Sequence, residues 1–147
     1  MTAQAAQKAL DTAPASSGGA TLTLPGPTGE SNRLTTHARP PVLCLGPGAP
    51  AADAQAALVA ALGGRAALAT GALDPDALTS LTGLSGVLWW GDADTARTLN
   101  AALSRRAGPI LPLITGAPDL GHVMGERHVC VDTTASGGNA ALLGGAG

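Results

Sequence analysis

Short apolar runs alternate along the middle of the chain with segments in which alanine and leucine recur at helical spacing. The apolar runs lie at residues 41–45, 65–70, 86–91 and 109–114. The segments with helical spacing lie at 52–62, 74–83 and 93–106. Strands that alternate with helices predict a parallel sheet with right-handed crossovers, and continuous apolar runs predict strands buried on both faces. The pattern predicts a small doubly wound, Rossmann-like α/β domain over residues 41–128.

Capping signals stand at the ends of the predicted helices. Asp74 precedes the second helix, and Asp92 or Asp94 can cap the third. Both Asp92 and Asp94 also follow the third strand at its carboxyl end, where doubly wound sheets bind ligands, but helix capping already accounts for them. Arg105 and Arg106 end the third helix, and we expect them to form a solvated helix end.

The two ends of the chain differ from this middle part. Residues 1–20 begin with a short helix-like stretch and continue through Ser, Gly and Pro, which predicts a flexible linker. Residues 21–40 predict a flap of strand and turn, in which residues 21–24 form the strand. Residues 127–132 read as a last strand. Residues 129–147 predict a C-terminal strand and a glycine-rich tail that docks on another surface.

Composition narrows the possible functions. Apolar residues make up 45% of the chain, Trp89 and Trp90 are the aromatic residues, and the formal net charge is −2. A single lysine, Lys8, gives no basic footprint for nucleic acid, so no nucleic-acid partner is expected. We find no transmembrane or secretory segment and expect a cytoplasmic protein. Cys44 and Cys130 lie in apolar runs, which predicts buried, reduced thiols.

The turn after the first strand of the predicted domain is the strongest candidate for a cofactor site. Gly46, Gly48 and Ala51 match the dinucleotide pattern G-x-G-x-x-G/A between a strand and a helix. However, Pro47 and Pro50 remove two amides that a pyrophosphate would use, and no acidic residue follows the second strand to bind a ribose. We therefore treat the three residues as weak candidates and expect no cofactor in this chain.

Catalytic and metal sites are not expected either. Neither cysteine has a neighbouring base or a positive helix end that would activate its thiol. His122 and His128 are six residues apart, with Glu126 and Asp132 nearby, but this spacing matches no zinc motif. Both histidines are interpreted as ordinary surface or core residues.

Two motifs resemble those of bacterial bifunctional proline utilisation enzymes. Residues 24–32 read LPGPTGESN and are similar to the LPGPTGE-x-N signature near the end of the aldehyde dehydrogenase module of that family. Residues 131–142 read VDTTASGGNAAL and resemble the terminal motif of its long members, roughly VNTAAAGGNASL, with differences at Asp132 and Ser136. Residues 89–94 are similar to a strand end of the same region. The resemblance is collinear over about residues 22–143.

The resemblance implies a parent enzyme with an FAD-dependent proline dehydrogenase barrel and an NAD-dependent glutamate semialdehyde dehydrogenase. This chain contains neither module, so FAD and NAD would belong to the parent. The corresponding region of the family is a degenerate aldehyde dehydrogenase superfamily domain that covers the cavity through which pyrroline-5-carboxylate passes. The resemblance therefore implies a non-catalytic lid and assembly domain that docks on both dehydrogenase modules in cis, with a homo-oligomer also possible. The implied docking residues are Pro25, Gly26, Pro27, Thr28, Gly29, Glu30, Asn32, Thr133, Thr134, Gly137, Gly138 and Asn139.

Two alternatives stay open at this point. The chain could be a truncated fragment of the full enzyme, whose activity is the oxidation of proline to glutamate. It could also be a stand-alone nucleotide-binding domain that uses the turn at Gly46.

Overall fold

The computed structural model describes residues 1–69 and 71–133 of the chain. The helices are α1 Ala3–Asp11, α2 Gly48–Ala61, a 3₁₀ helix Pro75–Thr79, α3 Ala93–Ser104 and α4 Leu120–Val123. The strands are β1 Thr21–Leu24, β2 Glu30–Ala38, β3 Val42–Cys44, β4 Ala66–Leu68, β5 Gly86–Leu88, β6 Leu113–Ile114 and β7 Met124–Asp132.

Strands β3 to β6 form a four-stranded parallel sheet in the order β4-β3-β5-β6. Side chains from alternate strand positions enter two separate hydrophobic clusters. Leu43 and Val87 pack in one cluster with α1, α3 and the 3₁₀ helix, while Val42 and Leu88 pack in the other with α2 and α4. The predicted α/β class with a parallel sheet is confirmed, and the apolar runs are explained by burial on both faces. We call this part, residues 41–123, the α/β unit.

The capping predictions are confirmed at two helix starts. The side chain of Asp74 accepts a hydrogen bond from the backbone N–H of Asp76 at 3.0 Å, although the helix it begins is a short 3₁₀ helix. The side chain of Asp92 accepts one from the N–H of Thr95 at 2.7 Å at the start of α3. Each carboxylate satisfies an amide that the first helical turn leaves without a partner.

The prediction of a solvated end for α3 is wrong for Arg106. Its guanidinium is partly buried and donates to the backbone carbonyl oxygens of Leu78 and Leu81, the latter at 2.6 Å. Arg105 is exposed as predicted and forms an ion pair with Asp76. The two arginines therefore connect the end of α3 to the segment that contains the 3₁₀ helix.

The prediction of a flexible linker over residues 1–20 is also wrong. Ala6 and Leu10 of α1 are fully buried in the first hydrophobic cluster. Beyond the helix, the guanidinium of Arg65 donates to the carbonyl oxygens of Ala13 and Pro14, and the N–H of Gly18 donates to the carbonyl oxygen of Gly63. A low content of large apolar residues did not prevent ordering, because small alanines and backbone groups make the contacts.

The second sheet is antiparallel, with the order β1-β2-β7. Strands β2 and β7 pair along nine residues each, from Ala38 opposite Met124 to Glu30 opposite Asp132. We call residues 21–38 and 124–132 the β-arm. Met124 is buried at its base, whereas every residue of β7 from 126 to 132 is exposed. Because β7 begins at Met124, it crosses the boundary predicted between residues 128 and 129.

The placement of Cys130 in the β-arm corrects the expectation that both thiols are buried. Cys44 lies in the parallel sheet and is fully buried, but Cys130 is exposed. The apolar run around Cys130 resembles that of a buried strand in sequence, yet little of the chain described here covers its end of the β-arm.

Candidate interaction surface on the β-arm

The loop between β1 and β2 is built around the amide of Asn32. Asn32 is buried, and its side chain donates a hydrogen bond to the Glu30 carboxylate at 2.5 Å. A Cβ atom at Gly26 would lie 2.6 Å from the Asn32 Nδ2 atom. A side chain at position 26 would push this buried amide away from the Glu30 carboxylate, which favours glycine here.

A tight turn brings the chain into β2. The N–H of Glu30 donates to the carbonyl oxygen of Pro27 at 3.0 Å, and Gly29 has a φ of +88° at the third position of the turn. Residues other than glycine rarely adopt this backbone conformation, which explains why position 29 is a glycine. The carbonyl group of Gly29 then points toward the end of β7.

Thr133 connects the two motifs that carry the resemblance. Its N–H donates to the Gly29 carbonyl oxygen at 2.9 Å, and its Oγ1 hydroxyl donates to the same oxygen at 2.7 Å. Two motifs separated by about a hundred residues therefore meet at the tip of the β-arm. Of the docking residues predicted beyond this point, Thr134, Gly137, Gly138 and Asn139 lie outside the described residues.

Apolar side chains are exposed on both faces of the β-arm. Partners in adjacent strands point to the same face, so Leu22 shares one face with Leu34 and Cys130, while Val129 and Val131 lie on the other. Leu22 is 54% exposed and Val131 is 49% exposed. A sheet with uncovered apolar residues on both faces is typical of a surface that contacts another protein.

The Cys130 thiol lies next to acidic groups at this tip. Local desolvation, a hydrogen bond with Glu30, and the negative charges of Glu30 and Asp132 raise the pKa of Cys130. A raised pKa lowers the thiolate fraction, which is the opposite of what a catalytic nucleophile needs. Burial raises the pKa of Cys44 to about 12, so that thiol is inert for a different reason.

The turn at Gly46 is closed by a buried glutamine that the sequence analysis did not single out. Gln55 of α2 is fully buried; its carbonyl oxygen accepts from the Gly46 N–H at 3.0 Å, and its amide donates to the Gly46 carbonyl oxygen at 2.9 Å. The Gly46 amide is therefore already bonded and does not point to a ligand. Pro47 stands at the N-cap of α2 without a side-chain hydrogen bond. Gly48 begins the helix and Ala51 lies within it.

A cavity of about 320 Å³ opens above the carboxyl ends of β3 and β5. It is mainly apolar, and its lining includes Leu45, Pro47 and Trp89. Thr95 lines the cavity and donates to the Asp92 carboxylate from its N–H and its hydroxyl. These hydrogen bonds lower the pKa of Asp92.

The remaining candidates have structural roles or none. The His122 Nδ1 atom accepts a hydrogen bond from the Asp119 N–H at 3.0 Å, and the Asp119 carboxylate accepts from the His122 N–H, which together form a capping box for α4. His128 is exposed on the β-arm. No group of three His, Cys, Asp or Glu side chains within residues 1–69 and 71–133 is placed to hold a metal ion. No helix in the same ranges is long and apolar enough to span a membrane.

These observations define an α/β domain with a projecting antiparallel arm, in which the exposed arm is the most distinctive surface. Two curated proteins are similar to the chain in sequence, the bifunctional protein PutA of Salmonella typhimurium and that of Escherichia coli. Each is 32% identical over 143 residues, which covers 82% of this chain and 11% of the PutA protein. No protein-family model matches the chain.

Solved structures of PutA are also similar to the chain. A crystal structure of bifunctional proline utilization A is 24% identical, covers 74% of this chain and 14% of its own, and has a TM-score of 0.46. A Bradyrhizobium japonicum proline utilization A mutant is 28% identical over 64% of this chain and 13% of its own, with a TM-score of 0.41. The sequence similarity shows that the chain is related to a region of PutA. It spans about a tenth of the length of the curated relatives it matches.

Proposed function

We propose that the chain is a non-catalytic lid and assembly domain of a bifunctional, proline-catabolic enzyme related to PutA. In this proposal it is a Rossmann-like, degenerate member of the aldehyde dehydrogenase superfamily that docks in the cytoplasm on the dehydrogenase modules. It covers the cavity through which pyrroline-5-carboxylate and glutamate semialdehyde pass. FAD and NAD are bound by those modules and not by this chain.

The bond between Thr133 and Gly29 is the observation that carries the proposal. It holds the loop of residues 25–29 and the start of the terminal segment together at one tip of the β-arm, whose two faces expose Leu22 and Val131. The tip of the β-arm contributes little to the hydrophobic core of the chain, yet specific hydrogen bonds hold its two distant segments together. This ordering favours a role of the tip in docking. A covering domain also has a chemical use, because excluding water protects a reactive intermediate from side reactions.

The composition of the β-arm favours a contact that works in cis. Trp89 and Trp90 are the aromatic residues of the chain, and both lie in the α/β unit, so the β-arm has none of the large aromatic anchors typical of tight interfaces. Such a surface binds weakly between separate molecules. A covalent tether raises the effective concentration enough for a weak contact to stay formed.

The nucleotide-binding alternative has less support. The Gly46 N–H bonds to Gln55, and the residues at positions 47 and 50 are prolines. We therefore expect calorimetry of the purified chain with NAD to show no binding. Micromolar affinity would refute this part of the proposal.

Co-expression with the proline dehydrogenase and aldehyde dehydrogenase modules of a PutA-like enzyme tests the lid. The measurements are NADH formation from proline and the fraction of pyrroline-5-carboxylate that escapes into solution. Leu22→Lys should weaken docking and increase escape about tenfold, since it places a charge in the proposed contact. Ile110→Lys is the matched control, because Ile110 is 98% exposed on a loop of the α/β unit. Equal escape for both variants would contradict a docking role of the β-arm.

A further inference from the structure

A second cavity lies at the base of the β-arm, where the arm joins the α/β unit. Its volume is about 420 Å³, and it is lined by Arg39, Leu120, Gly121, Met124 and Glu126. Proteins bind small molecules in cavities of roughly 300–1,000 Å³. The proposed docking of the β-arm makes no use of this cavity.

The guanidinium of Arg39 is held in place but keeps donors that are not used. Its Nε atom donates to the carbonyl oxygen of Met124 at 3.0 Å, and the backbone N–H of Arg39 donates to the carbonyl oxygen of Val123 at 2.9 Å. Within residues 1–69 and 71–133, neither Nη atom of Arg39 has a hydrogen-bond partner. Two such atoms on one guanidinium match a carboxylate, which can accept two parallel hydrogen bonds.

The carboxylate of Glu126 brings the opposite charge to the same cavity. Glu126 lies on β7 opposite Thr36, and it is exposed. In the part of the chain that the structure describes, its carboxylate has no hydrogen bond and forms no ion pair with Arg39 or with another residue. Two opposite charges therefore line one cavity without neutralising each other.

Apolar side chains complete the lining. Leu120, the first residue of α4, is 51% exposed, and Met124 lines the cavity from β7. Gly121 adds no side chain and so leaves the space open. A ligand that fits this lining has a negative group for Arg39, a positive group for Glu126 and an apolar body for Leu120.

We propose that this cavity binds a free α-amino acid with an apolar side chain. The carboxylate of the ligand contacts Arg39, its ammonium group contacts Glu126, and its side chain lies against Leu120. Both charged groups of an α-amino acid are attached to one carbon atom, so a single small molecule can reach both residues. An acidic amino acid fits less well, because its second carboxylate would be repelled by Glu126 or lose water against Leu120.

The proposal does not rest on the lid role. Glu126 is near the start of β7, whereas docking is proposed for the tip of the β-arm, beyond the end of that strand. Binding of an amino acid can therefore be measured on the full chain alone, without the dehydrogenase modules.

Titration of the isotope-labelled full chain, followed by its amide chemical shifts, tests the ligand class. L-leucine should give saturable shifts centred on Leu120, Gly121 and Glu126. Isocaproate, which is leucine without its ammonium group, and isoamylamine, which lacks the carboxylate, should each bind at least about tenfold more weakly, because each loses a charge-assisted hydrogen bond. Equal affinities for the three probes, or shifts centred on another part of the chain, would overturn the proposal.

Glu126→Gln tests the assignment of the two charged groups. Because Glu126 is exposed, the variant should keep its urea midpoint, but it should bind L-leucine no more tightly than isocaproate. Asp53→Asn is the matched control, since Asp53 is exposed on α2 and its substitution removes the same charge; this variant should keep the tenfold preference for L-leucine. A preference for L-leucine that survives Glu126→Gln would refute the site.

Discussion

Substitution of the buried Gln55 gives the sharpest test of whether the turn at Gly46 is held closed. In Gln55→Leu, the Gly46 N–H loses its acceptor, while the Gly46 carbonyl oxygen keeps the N–H of Trp90 at 2.8 Å. A buried amide without a partner costs about 1–3 kcal/mol, and the second lost hydrogen bond costs about 0.5–1.5 kcal/mol. The apolar leucine returns about 1 kcal/mol. We expect the free energy of unfolding to fall by about 2 kcal/mol.

Urea unfolding followed by tryptophan fluorescence measures this loss. Trp89 and Trp90 are the reporters, and Trp90 is bonded directly to the perturbed turn. For a chain of this size, the expected loss corresponds to a fall in Tm of about 4–8 °C. The slope of the free energy against urea should not change, because the same surface is exposed on unfolding.

The same substitution at an exposed helical position is the control. Gln4 is exposed on α1, and Gln4→Leu should change the free energy of unfolding by no more than about 0.5 kcal/mol. If Gln55→Leu is as stable as Gln4→Leu, the two hydrogen bonds to Gly46 do not hold the turn, and the reasoning that the turn is closed to a nucleotide fails with them.

Three further predictions follow from single side chains. Arg106→Lys should lower the free energy of unfolding by about 1–2 kcal/mol, because lysine cannot donate in two fixed directions. The control Arg105→Lys should change it by no more than about 0.5 kcal/mol. Equal urea midpoints for the two variants would refute the difference. A thiol reagent should modify Cys130 in the native chain, because Cys130 is exposed, and should modify Cys44 only after unfolding, because burial covers Cys44 and raises its pKa to about 12. Mass spectrometry distinguishes the two sites. Modification of both at similar rates would contradict it. Hydrogen bonds from Thr95 lower the pKa of Asp92, so the contribution of Asp92 to stability is present above its ordinary pKa and is lost as the pH falls through the lowered pKa. Asp92→Asn should therefore flatten this part of the dependence of the urea midpoint on pH. An unchanged slope in this variant would contradict the prediction.

Local signals made the parallel sheet and its helix starts predictable. The apolar runs that contain β3 and β5 reflect burial on both faces, and Asp74 and Asp92 cap their helices through bonds to residues two or three positions away. Interactions of this range leave a pattern in the sequence itself.

The β-arm was only partly predictable, because its order comes from distant pairing. Strand β2 reads ESNRLTTHA, which has no regular alternation of apolar and polar residues, and its partner β7 is far away in the chain. Cys130 lies between two valines, as a buried strand residue would, but exposure depends on whether another layer covers the sheet. No local pattern records that.

The candidate site shows the same division. The sequence analysis argued against a nucleotide turn from the prolines at positions 47 and 50, but it missed the role of Gln55. A signal existed, since Gln55 falls on the same face of α2 as the buried residues Ala52 and Val59. A polar residue at such a position needs a buried partner, and here the partner is the turn. For Arg106, by contrast, the carbonyl groups it contacts lie some 25 residues earlier, and nothing nearby indicates them.

The long pairing of β2 with β7 has a consequence for how the chain reaches its native state. The α/β unit is an insertion in a single β-ribbon, because one half of the ribbon enters it at Arg39 and the other leaves it at Val123. Closing so large a loop in an unstructured chain is slow, but a folded insertion already holds its two ends together. Pairing of β2 with β7 would then start at the base of the β-arm, where Arg39 donates to the carbonyl oxygens of Val123 and Met124, and would end at Thr133.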